Sequence, residues 1–127
     1  MDVGTMSART PQTLYEHETV LRAAQRMLSS QVSALVVTDD QGRARGVVTG
    51  SDLVLRCMAA NRRADATPVA AVMSREVHTV ADGTSLESAM EIMAHSGVDR
   101  LVVVDEQRRV IGMVSLEDLL EGSLDDQ

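Results

Sequence analysis

Two blocks of the chain carry the same order of apolar and polar positions. In the first, Val20, Ala23, Ala24, Met27 and Leu28 recur at the i, i+3, i+4, i+7, i+8 spacing of one helical stripe. In the second, Leu86, Ala89, Met90, Met93 and Ala94 do the same. A very short strand is expected before each helix, at Thr13 and Leu14 and at His78, Thr79 and Val80. Thr19 or Glu18 marks the first helix start, and Thr84 with Glu87 three residues on reads as a capping box for the second. A near-continuous apolar run follows each helix, over residues 34–38 and 101–104, which predicts strands buried on both faces. Polar links, Asp39-Asp40-Gln41-Gly42-Arg43 and Asp105-Glu106-Gln107-Arg108-Arg109, lead to second strands over residues 45–49 and 110–115. Such links predict hairpins. A further helix is expected over residues 51–60 and 116–121, so each block reads β-α-β-β-α.

The blocks are an internal repeat. With a 66-residue offset, Thr13 meets Thr79, Ala23 meets Ala89, Leu35-Val36-Val37 meets Leu101-Val102-Val103, and Gly46 and Asp52 meet Gly112 and Asp118. Met6-Ser7 recurs as Met73-Ser74, one residue out of that register. Roughly a third of positions 13–54 are identical in the second copy, which marks duplication. The expected organisation is a polar arm (1–11), a first repeat (12–60), a linker with a short helical turn begun by Pro68 (61–74), a second repeat (75–122) and a frayed acidic tail (123–127). A half of about 60 residues buries little alone, so the halves are expected to pack on one another.

Composition narrows the function. The chain has one Tyr and neither Phe nor Trp, so its core is built from Val, Leu, Ile, Ala and Met, with the eight Met filling gaps. A net charge of −7, with every side-chain cation an arginine, argues against nucleic-acid binding, as does the lack of aromatics to stack on bases. Cys57 alone excludes an internal disulfide and reads as an ordinary thiol in a reducing compartment. No signal-peptide core and no apolar run of membrane-spanning length is visible, so a cytoplasmic protein without membrane contact is expected. His17, His78 and His95 lie at no metal-binding spacing. No nucleophile–base pair or catalytic motif is evident, so the chain is not expected to be an enzyme.

The chemistry concentrates in a turn carried twice: Gly46-Val47-Val48-Thr49-Gly50-Ser51-Asp52 and Gly112-Met113-Val114-Ser115-Leu116-Glu117-Asp118. Each reads as a strand end running into a helix start, where unpaired backbone N–H groups and a locally positive dipole are expected. An ionised carboxylate accepts from two adjacent hydroxyls, as a ribose presents them, and a hydroxyl beside a helix start suits phosphate. Val47, Val48, Met113 and Val114 offer apolar surface for a base. The same hydroxyl–aspartate spacing is also ordinary helix capping, and residue types alone leave both readings open.

These repeats and turns resemble the CBS domain family, here as a tandem pair or Bateman module. The resemblance runs from Met6 to about Leu120, and the strands Leu35-Val36-Val37 and Arg100-Leu101-Val102-Val103-Val104-Asp105 share in carrying it. It implies an α/β (α+β) fold of two β-α-β-β-α repeats, related by pseudo-two-fold symmetry and packed through their sheets. It implies a non-catalytic sensor that needs no cofactor and binds an adenosyl ligand between the repeats: AMP, ADP, ATP or S-adenosylmethionine. Asp52 and Asp118 would then meet ribose hydroxyls, and Thr49 and Ser115 the ligand's polar end. Thr13, Val47, Ser51, Thr79, Arg100 and Met113 complete the expected ligand-binding set. Ser51 and Glu117 stand where relatives often carry a basic residue, and Arg100 is a candidate to supply that charge or to pair with Asp99 or Asp105. A homodimer and an unidentified protein partner are implied too. The rival expectation is a ligand-free module that only dimerises or docks.

Overall fold

The computed structural model describes residues 2–6 and 12–125. It is a mixed α/β protein. Its elements are α1 (Val3–Met6), β1 (Thr13–Tyr15), α2 (Val20–Ser30), β2 (Ala34–Thr38), β3 (Ala44–Thr49) and α3 (Gly50–Asp52), which continues as a π-helical segment (Leu53–Met58). A 3-10 turn (Val69–Ala71) precedes β4 (Thr79–Ala81), α4 (Leu86–Ser96), β5 (Arg100–Val104), β6 (Val110–Ser115) and α5 (Leu116–Asp125). The β-α-β-β-α order expected of each block is present. Each half has one three-stranded sheet, β1-β2-β3 or β4-β5-β6, whose first pair is parallel and second antiparallel. Among the described residues no helix is long and apolar enough to cross a membrane.

The chain divides into two compact units. One is Gln12–Val77; the other is the chain from His78 onward together with residues 2–6. The leading segment therefore packs with the second repeat, and the linker packs with the first. The exchange keeps the 66-residue register. Val69 N–H donates to Glu18 O (2.7 Å) and Ala70 N–H to Glu16 O (3.2 Å); Val3 N–H donates to Thr84 O (2.9 Å) and Gly4 N–H to Asp82 O (2.8 Å). Val3 and Val69 are each fully buried, each completing its own unit's core. The arm read as polar thus supplies a core residue. Residues 7–11, including the Ser7 of the proposed Met6-Ser7 match, lie outside the described residues.

Strand alternation explains the two cores. Leu14, Leu35, Val37 and Val48 point at α2 and the π-helical segment in one unit, while Val80, Leu101, Val103 and Val114 make the corresponding core in the other. Val36 and Val102 are also buried yet belong to neither cluster, as the unbroken apolar runs anticipate. The helical stripes are narrower than their periodicity predicts. Val20 and Ala23 are buried, Met27 is half-buried, and Ala24 and Leu28 face outward.

Local chemistry sets the element ends. Thr19 caps α2, its hydroxyl accepting from Arg22 N–H (3.2 Å). The cap of α4 is Ser85, accepting from Ser88 N–H (3.1 Å), rather than Thr84, whose carbonyl is taken by Val3 N–H. Helix α5 runs to Asp125, past the boundary at 123 expected for the tail. At the hairpins, Asp39 Oδ1 accepts from the N–H groups of Gln41 and Arg43, and Asp105 Oδ1 from those of Gln107 and Arg109. The Arg43 and Arg109 guanidinium groups sit 3.2 and 2.9 Å from the other carboxylate oxygens. The backbone N–H of Arg43 holds the Asp39 carboxyl below its ordinary value, and that of Arg109 does the same for Asp105. A depressed folded value means stabilisation that is present above the ordinary Asp range and lost as pH falls through the folded one. Asp105→Asn keeps an acceptor and removes the titration. Its Tm, followed by circular dichroism, should therefore fall less steeply than the wild type's on the acid side.

Candidate functional site

The strand register collects the sequence-predicted residues onto one sheet face per unit. Thr13 pairs with Val36, Val36 with Val47, and Ala34 with Thr49. In the other sheet Thr79 pairs with Val102, Val102 with Met113, and Arg100 with Ser115. With a side-chain period of two, Thr13, Val47 and Thr49 share the face opposite the helical core. Thr79, Arg100, Met113 and Ser115 do so in the second unit. Thr13, Val47, Thr49, Arg100, Met113 and Ser115 are half-buried, and Thr79 is exposed.

Each sheet then runs straight into a helix through its motif turn. Thr49 N–H donates to Asp52 Oδ2 (2.8 Å), Asp52 N–H donates to Thr49 Oγ1 (3.2 Å), and the Thr49 hydroxyl lies 3.1 Å from Asp52 Oδ2. Ser115 N–H donates to Asp118 Oδ2 (3.1 Å), and Asp118 N–H to Ser115 Oγ (3.1 Å). Both pairs are thus reciprocal capping boxes. Gly50 N–H donates to Ser33 O (3.0 Å) and Leu116 N–H to Asp99 O (2.8 Å). Three N–H groups that the sequence reading left unpaired at each turn are therefore taken inside the chain.

The two carboxylates differ in what remains. Asp52 Oδ1 faces the Arg56 guanidinium (Nε at 3.7 Å), and Arg56 also donates to the carbonyls of Val72 (3.5 Å) and Met73 (3.3 Å). Position 122, the counterpart of 56, is glycine. Asp118 is exposed, and among the described residues its Oδ1 has neither a hydrogen-bond partner nor an ion pair. A carboxylate has about four lone-pair sites, so a cap that occupies one oxygen orients the other without using it up. Ser51 and Glu117 are exposed on the first helical turns.

Sequence reasoning missed Arg56, although its i+4 spacing from Asp52 was a readable signal. It also gave no role to the motif glycine. Val47 N–H donates to Ser74 O and Ser74 N–H to Val47 O, both at 2.9 Å, so the linker crosses β3 beside Gly46. A Cβ there would stand 2.6 Å from Ser74 O and 2.7 Å from Met73 Sδ. Cys57 is buried, its thiol 3.5 Å from Arg62 O. Among the described residues no His, Cys, Asp and Glu side chains gather as a metal site would require.

The family model for the CBS domain matches this chain twice, over residues 3–58 and 69–125. A CBS domain-containing protein of Bacillus subtilis is 37% identical over 107 residues, covering 84% of this chain and 74% of its own. The chain spans only 62% and 63% of the length of two further curated relatives. Among solved structures, a CBS domain protein of Pyrobaculum aerophilum complexed with AMP is 25% identical, with a TM-score of 0.80 over 98% of this chain and 99% of that one. A CBS domain pair in complex with 5′-methylthioadenosine and S-adenosylmethionine, 22% identical, shares the fold with a TM-score of 0.82 over 100% and 98% of the two chains. With both repeats matched and the motif turns in place in each unit, the chain belongs to the CBS domain family.

Proposed function

We propose that this chain is a non-catalytic regulatory module of the cytoplasm that binds an adenosyl ligand at its motif turns and passes the event to a partner. The observation that carries this reading is the arrangement at Ser115 and Asp118. One carboxylate oxygen is fixed by the cap, the other is unengaged among the described residues, and Arg100 stands directly across the strand pair. Such an acceptor suits two adjacent ribose hydroxyls, while Arg100 and Ser115 suit phosphate or another polar end. The AMP complex of the P. aerophilum relative supports the ligand class. Copies of the chain pair as a homodimer, and ligand binding acts on the partner only through a difference in affinity between two states.

A second reading rests on Asp52. Its carboxylate already serves as a cap and faces Arg56, as expected of a turn that only builds structure. In that case the module docks or dimerises without a ligand. Thermal melts separate the two. Against AMP, ADP, ATP, S-adenosylmethionine and NADH, at least one adenosyl compound should raise Tm with concentration, by the equivalent of about 2.7 kcal/mol at a hundred times Kd. A flat response to all five at millimolar concentration favours the second reading.

A further inference from the structure

The two motif turns are built alike and differ in one cation. The repeat register sets Arg56 against Gly122, so the first turn has an arginine four residues past its aspartate and the second has none. Three acceptors aim the Arg56 guanidinium. Its Nε lies 3.7 Å from Asp52 Oδ1, and its Nη1 donates to the carbonyl oxygens of Val72 (3.5 Å) and Met73 (3.3 Å). A guanidinium has N–H donors enough to serve all three. The carbonyls belong to a stretch that is itself fixed, since Val72 and Met73 are buried and Ser74 is paired with Val47. Held there, Arg56 loses little further freedom by standing at the carboxylate, and that freedom is what usually weakens a half-exposed ion pair.

The backbone beneath Arg56 also sets the first repeat apart. Leu53–Met58 is wound as a π-helix, whereas the equivalent stretch of α5 is α-helical. Such windings are rare and recur at functional sites. The arginine and the winding therefore coincide in the repeat whose carboxylate is already engaged. The oxygen concerned matters. The cap takes Asp52 Oδ2, through the N–H and hydroxyl of Thr49, and leaves Oδ1 over. Oδ1 is the oxygen a ribose would use, and it is the one that faces Arg56. The Asp52 side chain is only 17% exposed, whereas Asp118 is exposed.

We infer that Arg56 is a specificity-determining residue, an internal counter-ion that competes with the adenosyl ligand for Asp52 Oδ1. The ligand then fills the Asp118 turn first and the Asp52 turn severalfold more weakly. This rests on the ligand-binding reading above, and adds which turn prevails and which side chain decides it.

Titration calorimetry with AMP and S-adenosylmethionine tests the inference, read with whichever of the two the wild type takes up. Asp118→Asn should weaken binding more than Asp52→Asn does. In the full chain carrying Asp118→Asn, the Asp52 turn is left to bind alone. Adding Arg56→Met keeps a stem of similar length and removes the charge, and should tighten that remaining binding about fivefold. Adding Arg56→Lys keeps the charge and should tighten it less. Circular dichroism of each variant checks that the fold is kept. If Arg56→Met binds no tighter than its parent, or if Asp52→Asn and Asp118→Asn cost the same, the inference is overturned while ligand binding stands. Weaker binding in Arg56→Met overturns it too, by making Arg56 a ligand contact. A wild-type chain that takes up neither compound overturns the ligand-binding reading and this inference with it.

Discussion

Leu101→Ala should lower the stability of the chain by about 3–4 kcal/mol, the range for emptying a leucine site in a packed core. Leu101 is fully buried at the middle strand of its sheet, among Val80, Leu86, Ala89, Met93, Val103, Val114 and Leu119. Few groups can close over the loss. The strand is fixed on one side by β4 and on the other by β6, and the core has no aromatic ring to swing into a void. Leu35 holds the same position in the first sheet and is equally buried, so Leu35→Ala should cost a similar amount. Urea denaturation reads both, and a loss below about 1 kcal/mol in either would mean that the site collapses freely.

Gly46→Ala should destabilise by about 2–3 kcal/mol although it adds a single methyl group. The cause is a close approach rather than backbone strain, since the positive-φ glycines among the described residues are Gly42 and Gly97, not Gly46. A methyl at 2.6 Å from a backbone carbonyl and 2.7 Å from the Met73 sulfur must displace the linker. Moving Ser74 loosens both hydrogen bonds that tie it to Val47. Gly50→Ala is the control: a Cβ there meets nothing within 4 Å, so its stability should stay within about 0.5 kcal/mol of wild type. Equal effects of the two substitutions in urea melts would remove the close-approach explanation.

How far the sequence reading reached follows from what each signal depends on. Strands and hairpins were legible because β-branched runs and Asp-led polar links are local chemistry. The register was legible because duplication aligns Thr13 with Thr79 and Asp52 with Asp118. The α4 cap was misread at Thr84 because hydroxyl–acid spacing looked complete there; strict register with Thr19 points to Ser85, which the structure places at the cap. The exchange of Val3 and the linker between repeats was not legible, since a single valine in a polar arm carries no periodic signal. Nor was the π-helical winding of Leu53–Met58, which no residue pattern announces. At the candidate site, residue types were readable in advance, but the strand faces only in part: Val48 and Val114, grouped with Val47 and Met113 as surface for a base, point into the helical cores. The reciprocal caps and the Arg56 contact are matters of geometry, and they set Asp52 apart from Asp118.

Calorimetric titration of AMP and S-adenosylmethionine into the wild-type chain and into Asp52→Asn/Asp118→Asn bears on the binding site itself. Asparagine keeps one acceptor for each cap, so the double variant should hold its fold and differ mainly in losing the ionised carboxylates. Saturable heat from at least one ligand with wild type, weakened roughly tenfold or more in the double variant, is the predicted result. Wild-type titrations that stay flat to millimolar concentration, or a double variant that binds as tightly as wild type, would contradict it.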